Sequence, residues 1–229
     1  MNPSQLFQAV LFDMDGVVVD NAALHREVWA DFARSHGLAP TEAEIRATDG
    51  RRAVDVVRLL FKEELEDDQV LARAAEREIR YRQSLERGHV QAVPGIEPFL
   101  EALGEARIPR VLATSATLEN VDLVLRRLAL ANLFDAVISA EDVRNGKPNP
   151  EVYLTAASRA HADPARCLVI EDALPGVQAA KAAGATCLGL STSQSEEALY
   201  GAGADWVAPH FLALPEPLRA RLSLLGPEG

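Results

Sequence analysis

Residues 10–20 read VLFDMDGVVVD, an apolar run of strand-forming residues broken by Asp13, Asp15 and Gly16 and closed by Asp20. A short apolar run without polar alternation predicts a strand buried on both faces. Such strands belong to parallel sheets covered by helices rather than to one-sided antiparallel sheets. In open parallel sheets ligands collect outside the carboxyl ends of the strands, which is where Asp13 and Asp15 stand. Residues two apart in extended chain point the same way, so both carboxylates can address one site, and Gly16 lets the backbone turn behind them. A turn or helix cap would explain one aspartate before a glycine; a second at this spacing asks for more. Asp20 reads as a local cap or hinge.

Further β-rich runs follow the same style at residues 8–12, 110–113, 136–139, 167–170 and 186–190. Between the later ones, residues 95–105, 118–128, 151–159 and 175–183 repeat apolar side chains at three- and four-residue spacing, which predicts helices. Strand and helix in alternation give an α/β fold with a doubly wound parallel sheet. Residues 21–91 break the rhythm: they hold no strand signal and read as amphipathic helices over 24–36, 53–63 and 68–87. The expected organisation is a core domain of residues 1–20 and 92–229. A small α-helical cap domain, residues 21–91, is inserted between linkers at 20–21 and 89–94.

The 229 residues are 48% hydrophobic and 25% charged, with a net charge of -11, so a folded globular chain is expected and a nucleic-acid surface is not. Cys167 and Cys187 sit in apolar runs and match no zinc or redox spacing, as in a reduced protein. No stretch approaches the roughly 20 apolar residues that span a bilayer, and MNPSQLFQ lacks a basic leader region. A cytoplasmic protein with no membrane or nucleic-acid partner is expected, and a monomer, because no apolar surface helix is evident.

Three more strand ends carry polar motifs. LATSAT, residues 112–117, offers Thr114 and Ser115 before a helix, where free N–H groups attract anions, although either residue also serves as a plain N-cap. NGKPNPEVY, residues 145–153, sets Lys147 between Gly146 and two prolines; a solvated loop lysine is the plainer alternative to one aimed at a fixed point. CLVIEDALPGVQAAKAAG, residues 167–184, ends a strand with Glu171 and Asp172, of which Asp172 also suits a helix cap. If Asp13, Asp15, Glu171 and Asp172 meet, each like-charged pair about 4 Å apart costs on the order of 4 kcal/mol. Such a cluster demands a cation, and all-oxygen ligands favour hard Mg²⁺. Mg²⁺ with a lysine, hydroxyls and helix amides forms a phosphoryl site in which one carboxylate can act as nucleophile.

The motifs DMDGV, Thr114, GKPNPEVY and EDALPGVQAAKAAG, in that order, resemble the four motifs of the haloacid dehalogenase superfamily. The likeness covers most of the chain and points to the branch of β-phosphoglucomutase-like and phosphoglycolate-phosphatase-like enzymes, with the helical insert similar to that family's small cap. The resemblance implies that Asp13 attacks phosphorus and binds Mg²⁺. It implies that Asp15 is general acid and base with its carbonyl toward the metal. Thr114 and the Ser115 amide would hold the phosphoryl group, Lys147 would stabilise its charge, and Asp172 would bind Mg²⁺ with Glu171 at or just behind it. A second aspartate favours oxygen-linked phosphate, because an alkoxide leaving group needs a proton. In the cap, His25 of DNAALHREVW, Arg51 and Arg52 of TDGRRAVDVV, and Arg77 or Arg80 are the implied substrate-side residues.

The expected activity is Mg²⁺-dependent hydrolysis of a small phosphorylated metabolite, a sugar phosphate, through an aspartyl-phosphate. The alternative is a β-phosphoglucomutase-type transfer; LATSAT followed by Leu118 and Glu119 lacks the lysine-asparagine pair of the mutases. A phosphorylatable signalling module shares the acidic site, but such modules place the acceptor on a middle strand and are shorter.

Overall fold

The computed structural model describes residues 7–62 and 65–222. Its core alternates strands and helices along the chain. The first strand, β1 (Ala9–Phe12), is followed by α1 (Ala22–Ser35), α2 (Glu42–Arg46), α3 (Ala53–Phe61), α4 (Asp67–Arg87) and α5 (Ile96–Glu105). Then come β2 (Arg110–Ala113), α6 (Leu118–Leu128), β3 (Ala136–Ile138), α7 (Glu151–Arg159), β4 (Cys167–Glu171) and α8 (Leu174–Ala182). The chain continues through β5 (Thr186–Leu190), α9 (Glu196–Ala202), β6 (Trp206–Ala208) and α10 (Glu216–Arg221). All six strands are parallel, in the order β3-β2-β1-β4-β5-β6. The winding reverses between β1 and β4, so the carboxyl ends of these two strands flank the crevice where such folds bind ligands.

Side-chain alternation in β1 explains the two-sided burial. Val10 and Phe12 face one core with Leu112, Ile170 and Leu188, beneath α5 and α6; Phe12 meets Phe99 and Phe134 edge-on at 6.1 and 5.7 Å. Ala9 and Leu11 face the other, beneath α7 and α8, where Ala113, Ala156, Ala157, Ala179 and Ala180 let the helices approach closely.

Helices α1 to α4 bury Trp29, Phe32, Val57, Leu60, Phe61 and Val70 in a cluster of their own. Their two connections to the sheet run side by side: Val19 bridges Ala92 antiparallel, Asp20 N donates to Gln91 O at 2.9 Å, and Val93 N donates to Val18 O at 3.0 Å. Asp20 itself is exposed and contributes backbone rather than a side-chain cap. The long α4 serves both clusters, with Val70 and Ala74 among the helices and Tyr81 and Leu85 packed on the sheet side.

The doubly wound α/β class is as expected, with differences at the margins. The strand predicted over 136–139 ends at Ile138, because Ser139 opens a 3₁₀ turn in which Asp142 Oδ2 accepts its N–H. The strand predicted over 167–170 includes Glu171. Gly95, at φ 87°, caps α5 instead of starting it. The helix predicted over 53–63 stops at Phe61 with Lys62 left-handed, and Glu63 lies outside the described residues. β6, α2, α9 and α10 carry no readable period because each is too short for one. Among the described residues no helix is long and apolar enough to cross a membrane.

Candidate active site

Three of the four expected carboxylates converge. Asp13 follows β1, Glu171 ends β4 and Asp172 follows it; oxygens of these buried residues lie within 4.8 Å of one another. Parallel pairing of the two strands fixes this, since Asp13 N donates to Ile170 O at 3.0 Å and so holds the two tips level. Lys147, 2% exposed, crosses from the loop before α7 and donates to Asp13 Oδ1 at 2.8 Å and Glu171 Oε1 at 2.6 Å. The solvated-lysine alternative is thereby removed.

Glu171 is spent internally. Its Oε1 also accepts from the Tyr153 hydroxyl, while Oε2 accepts the Asp172 and Ala173 amides at 3.0 and 3.2 Å. Asp172 instead leans over Gly16, where an added Cβ would stand 1.9 Å from its Oδ2, at a φ of 75°. Only glycine fits there. Gly16→Ala is therefore expected to cost about 1–3 kcal/mol from backbone conformation alone and to push Asp172 aside. Thermal unfolding and divalent-ion titration check it, and unchanged metal affinity would contradict the close approach.

Burial pushes the Asp13 carboxyl up to about 7; Lys147 pulls it back while Glu171 and Asp15 add to the rise. Asp172 rises well above its ordinary value through burial and the charges of Glu171 and Asp13. Burial works against the Lys147 ammonium, but Asp13 and Glu171 outweigh it and move its pKa upward. Three carboxylates face one ammonium, so the set lacks positive charge. Its all-oxygen chemistry suits a hard divalent cation.

The fourth carboxylate departs from the cluster. Asp15 turns toward the helical insert, accepting from Asn21 Nδ2 at 2.6 Å with His25 Nε2 3.2 Å away and the Tyr81 hydroxyl at 3.4 Å. Burial would raise its pKa, yet His25, Asn21 and Arg77 together hold it below the usual carboxylate value. Arg77 donates NH2 to His25 Nδ1 at 2.7 Å, which leaves the imidazole proton on Nε2, 3.2 Å from Asp15 but without a hydrogen-bond partner among the described residues. Asp13 and Asp15 thus border one pocket while their carboxylates meet different partners.

Thr114 follows β2, is buried and borders the same pocket; its Oγ1 accepts the Ala116 amide at 3.1 Å. Ser115 spends its hydroxyl on Gly50 O of the insert at 2.9 Å, leaving its backbone for an anion. Arg51 borders the pocket, with Nε bound to Ala47 O. Arg52 does not: it pairs with Asp55 and donates to Arg144 O at 2.9 Å, on an outer groove. Arg80 is also away from the pocket, bound to Glu76 and Ser35.

Residues 7–184 match the haloacid dehalogenase-like hydrolases. The chain belongs to that family. It is similar to the phosphorylated carbohydrates phosphatase of Thermotoga maritima, 35% identical over 77% of this chain and 82% of the relative. It is also similar to the validoxylamine A 7'-phosphate phosphatase of Streptomyces hygroscopicus subsp. limoneus, 32% identical over 85% and 90%. The crystal structure of β-phosphoglucomutase from Clostridium difficile shares the fold, with a TM-score of 0.84 over 96% of this chain and 98% of that one at 23% identity.

In this haloacid dehalogenase-like enzyme several site residues escaped the sequence. Tyr153 closes the motif NGKPNPEVY, six residues after Lys147, and only its position there hinted at a role. Asn21 read as a linker residue, and Tyr81, Glu78 and Asn120 as ordinary helix positions. Nothing local says that α4 and α6 face each other across the pocket.

Proposed function

We propose that this chain is a Mg²⁺-dependent phosphatase acting on a small phosphorylated metabolite, a sugar phosphate, through an aspartyl-phosphate on Asp13, with residues 21–91 as the cap over the substrate. The observation that carries this is the buried acidic set at the β1 and β4 tips, short of positive charge and facing Thr114. The named substrates of the phosphatase relatives support the sugar-phosphate class.

Asp13 and Asp172 would hold Mg²⁺, with Glu171 behind them positioning Lys147. The bound ion would supply neutralising charge to the transferring phosphoryl oxygens. Thr114, the Ser115 amide and Lys147 would fix that group in line with Asp13. A carboxylate oxygen of Asp13 then bonds to phosphorus as the bond to the leaving oxygen breaks, and Asp15 gives the leaving oxygen a proton. In the second half Asp15 takes a proton from water, which attacks phosphorus and releases Asp13 and inorganic phosphate. The donors that hold Asp15 low suit the base half; the negative charge of an arriving phosphate works the other way and prepares the acid half.

A panel of phosphorylated sugars with Mg²⁺, scored for inorganic phosphate and for isomerised product, tests the reading. Phosphate release is expected. Conversion of β-glucose 1-phosphate to glucose 6-phosphate in the presence of a bisphosphate primer, without free phosphate, would support the mutase alternative.

Mg²⁺ also has a predictable effect on stability. The folded pKa of Asp13, about 7, lies above its ordinary 3.8, so the native state holds this proton longer than the unfolded chain. In metal-free protein that contribution is full below about pH 4 and is lost as pH rises toward 7. Added Mg²⁺ competes with that proton. The rise in melting temperature it produces is expected to be larger at pH 8 than at pH 5, and a shift independent of pH would refute the assignment.

A further inference from the structure

Besides the acidic tips, the pocket wall includes Trp29, Asp49, Arg51, Glu78 and Asn120. Glu78, on α4, is 8% exposed and is held at both oxygens. Oε1 accepts from Arg77 NH1 at 3.0 Å, and Oε2 accepts from Asn120 Nδ2 across the gap between the insert and the core. Arg82 NH1 donates to Asn120 Oδ1 at 3.1 Å, which fixes the amide with its donor toward Glu78. A carboxylate has about four acceptor positions, so two remain after these bonds.

Arg77, the nearest cation, is shared between Glu78 and His25, and its buried Nε has no hydrogen-bond partner among the described residues. Arg77 gives NH1 to Glu78 and NH2 to His25, and lies over the rings of Trp29 at 4.4 Å and Tyr81 at 5.1 Å. Asp49 is taken by Arg26 and Gln194. Arg51 borders the outer groove as well as the pocket, and its Nε is bound to Ala47 O.

On the basis of the phosphatase reading above, we propose that Glu78, set by Asn120 and Arg77, is a specificity-determining residue that accepts hydrogen bonds from substrate hydroxyls and turns away a second phosphate. A hydroxyl brings a donor to a wall rich in acceptors. A phosphate at the same place brings only acceptors and a like charge into a partly dehydrated site. The substrate class is then a monophosphorylated polyol or sugar with an uncharged far end. A bisphosphate intermediate, which intramolecular transfer between two hydroxyls requires, fits poorly.

The test compares kcat/KM for fructose 1-phosphate against fructose 1,6-bisphosphate, and glucose 6-phosphate against glucose 1,6-bisphosphate, with an aryl phosphate as reference. In the unaltered protein the monophosphate is expected to lead by about 100-fold in the better pair. Glu78→Gln, which keeps the size but leaves a single acceptor oxygen for Arg77 and Asn120, is expected to shrink that lead about tenfold or more. Equal rates on mono- and bisphosphate in the unaltered protein, or an unchanged ratio in Glu78→Gln, would overturn the role of Glu78 and leave the phosphatase reading intact. The first comparison decides even if the variant does not fold. No turnover of any phosphomonoester, the aryl phosphate included, would overturn the phosphatase reading and this proposal together.

Discussion

Asp13→Asn is expected to lower Mg²⁺-dependent turnover of an aryl phosphate by about 10⁴-fold or more, the scale seen when a covalent nucleophile is removed. The substitution isolates chemistry from structure. Asparagine keeps the shape of the side chain, and its carbonyl oxygen can still accept from Lys147 where Asp13 Oδ1 does so at 2.8 Å. It also deletes one charge from a buried set in which burial has already pushed Asp13 up to about 7. The metal-free variant should therefore melt no lower than the parent at pH 8, while losing much of the stabilisation by Mg²⁺. Release of phosphate at parental rates would dismiss Asp13 as the nucleophile; a collapsed fold would dismiss the electrostatic account of the site.

The second large effect concerns Lys147. Its ammonium is buried between Asp13 and Glu171, so Lys147→Ala leaves two carboxylates enclosed with no cation. Removing one partner of a buried ion pair costs about 3–5 kcal/mol. For a chain of this size that corresponds to a fall of roughly 6–20 °C in melting temperature. The sign of its pH dependence is fixed as well. Without Lys147 the carboxylates gain protons more readily in the folded state, so the deficit should narrow toward pH 5 and widen toward pH 8. Activity should fall with it, because the proposed mechanism uses the same ammonium to fix the phosphoryl group. Thermal melts at the two pH values check the first part; a deficit independent of pH would mean that Lys147 acts by packing alone.

These two residues also show how far local sequence reaches. Asp13 was legible because β1 is apolar on both sides, and a carboxylate directly after such a strand has one place to go, the carboxyl end of a parallel sheet. Lys147 was legible from the two prolines that follow it, which have little purpose in a free loop. Asp15 was harder. Two-residue spacing placed it on the same side as Asp13, but the turn at Gly16 ends the extended run there, and the carboxylate goes to Asn21 and His25 instead. Arg52 was attractive for its charge, yet the pull of Asp55 three residues on and of the Arg144 carbonyl keeps it out of the pocket.

What the order of residues determined by itself is whatever depends on neighbours along the chain. That covers the buried strands, the alternation that builds a doubly wound sheet, the break in rhythm over 21–91, and the four polar motifs at strand ends. Tertiary structure alone decided which oxygens are open and which are spent. Glu171 is filled by Lys147, Tyr153 and two amides and Ser115 by Gly50, while Glu78 is held by Asn120 across the pocket with acceptor positions to spare. Periodicity fixes the face a side chain takes on its own helix or strand. Its partner across a gap depends on how separate elements dock, and that is set by packing summed over the whole molecule.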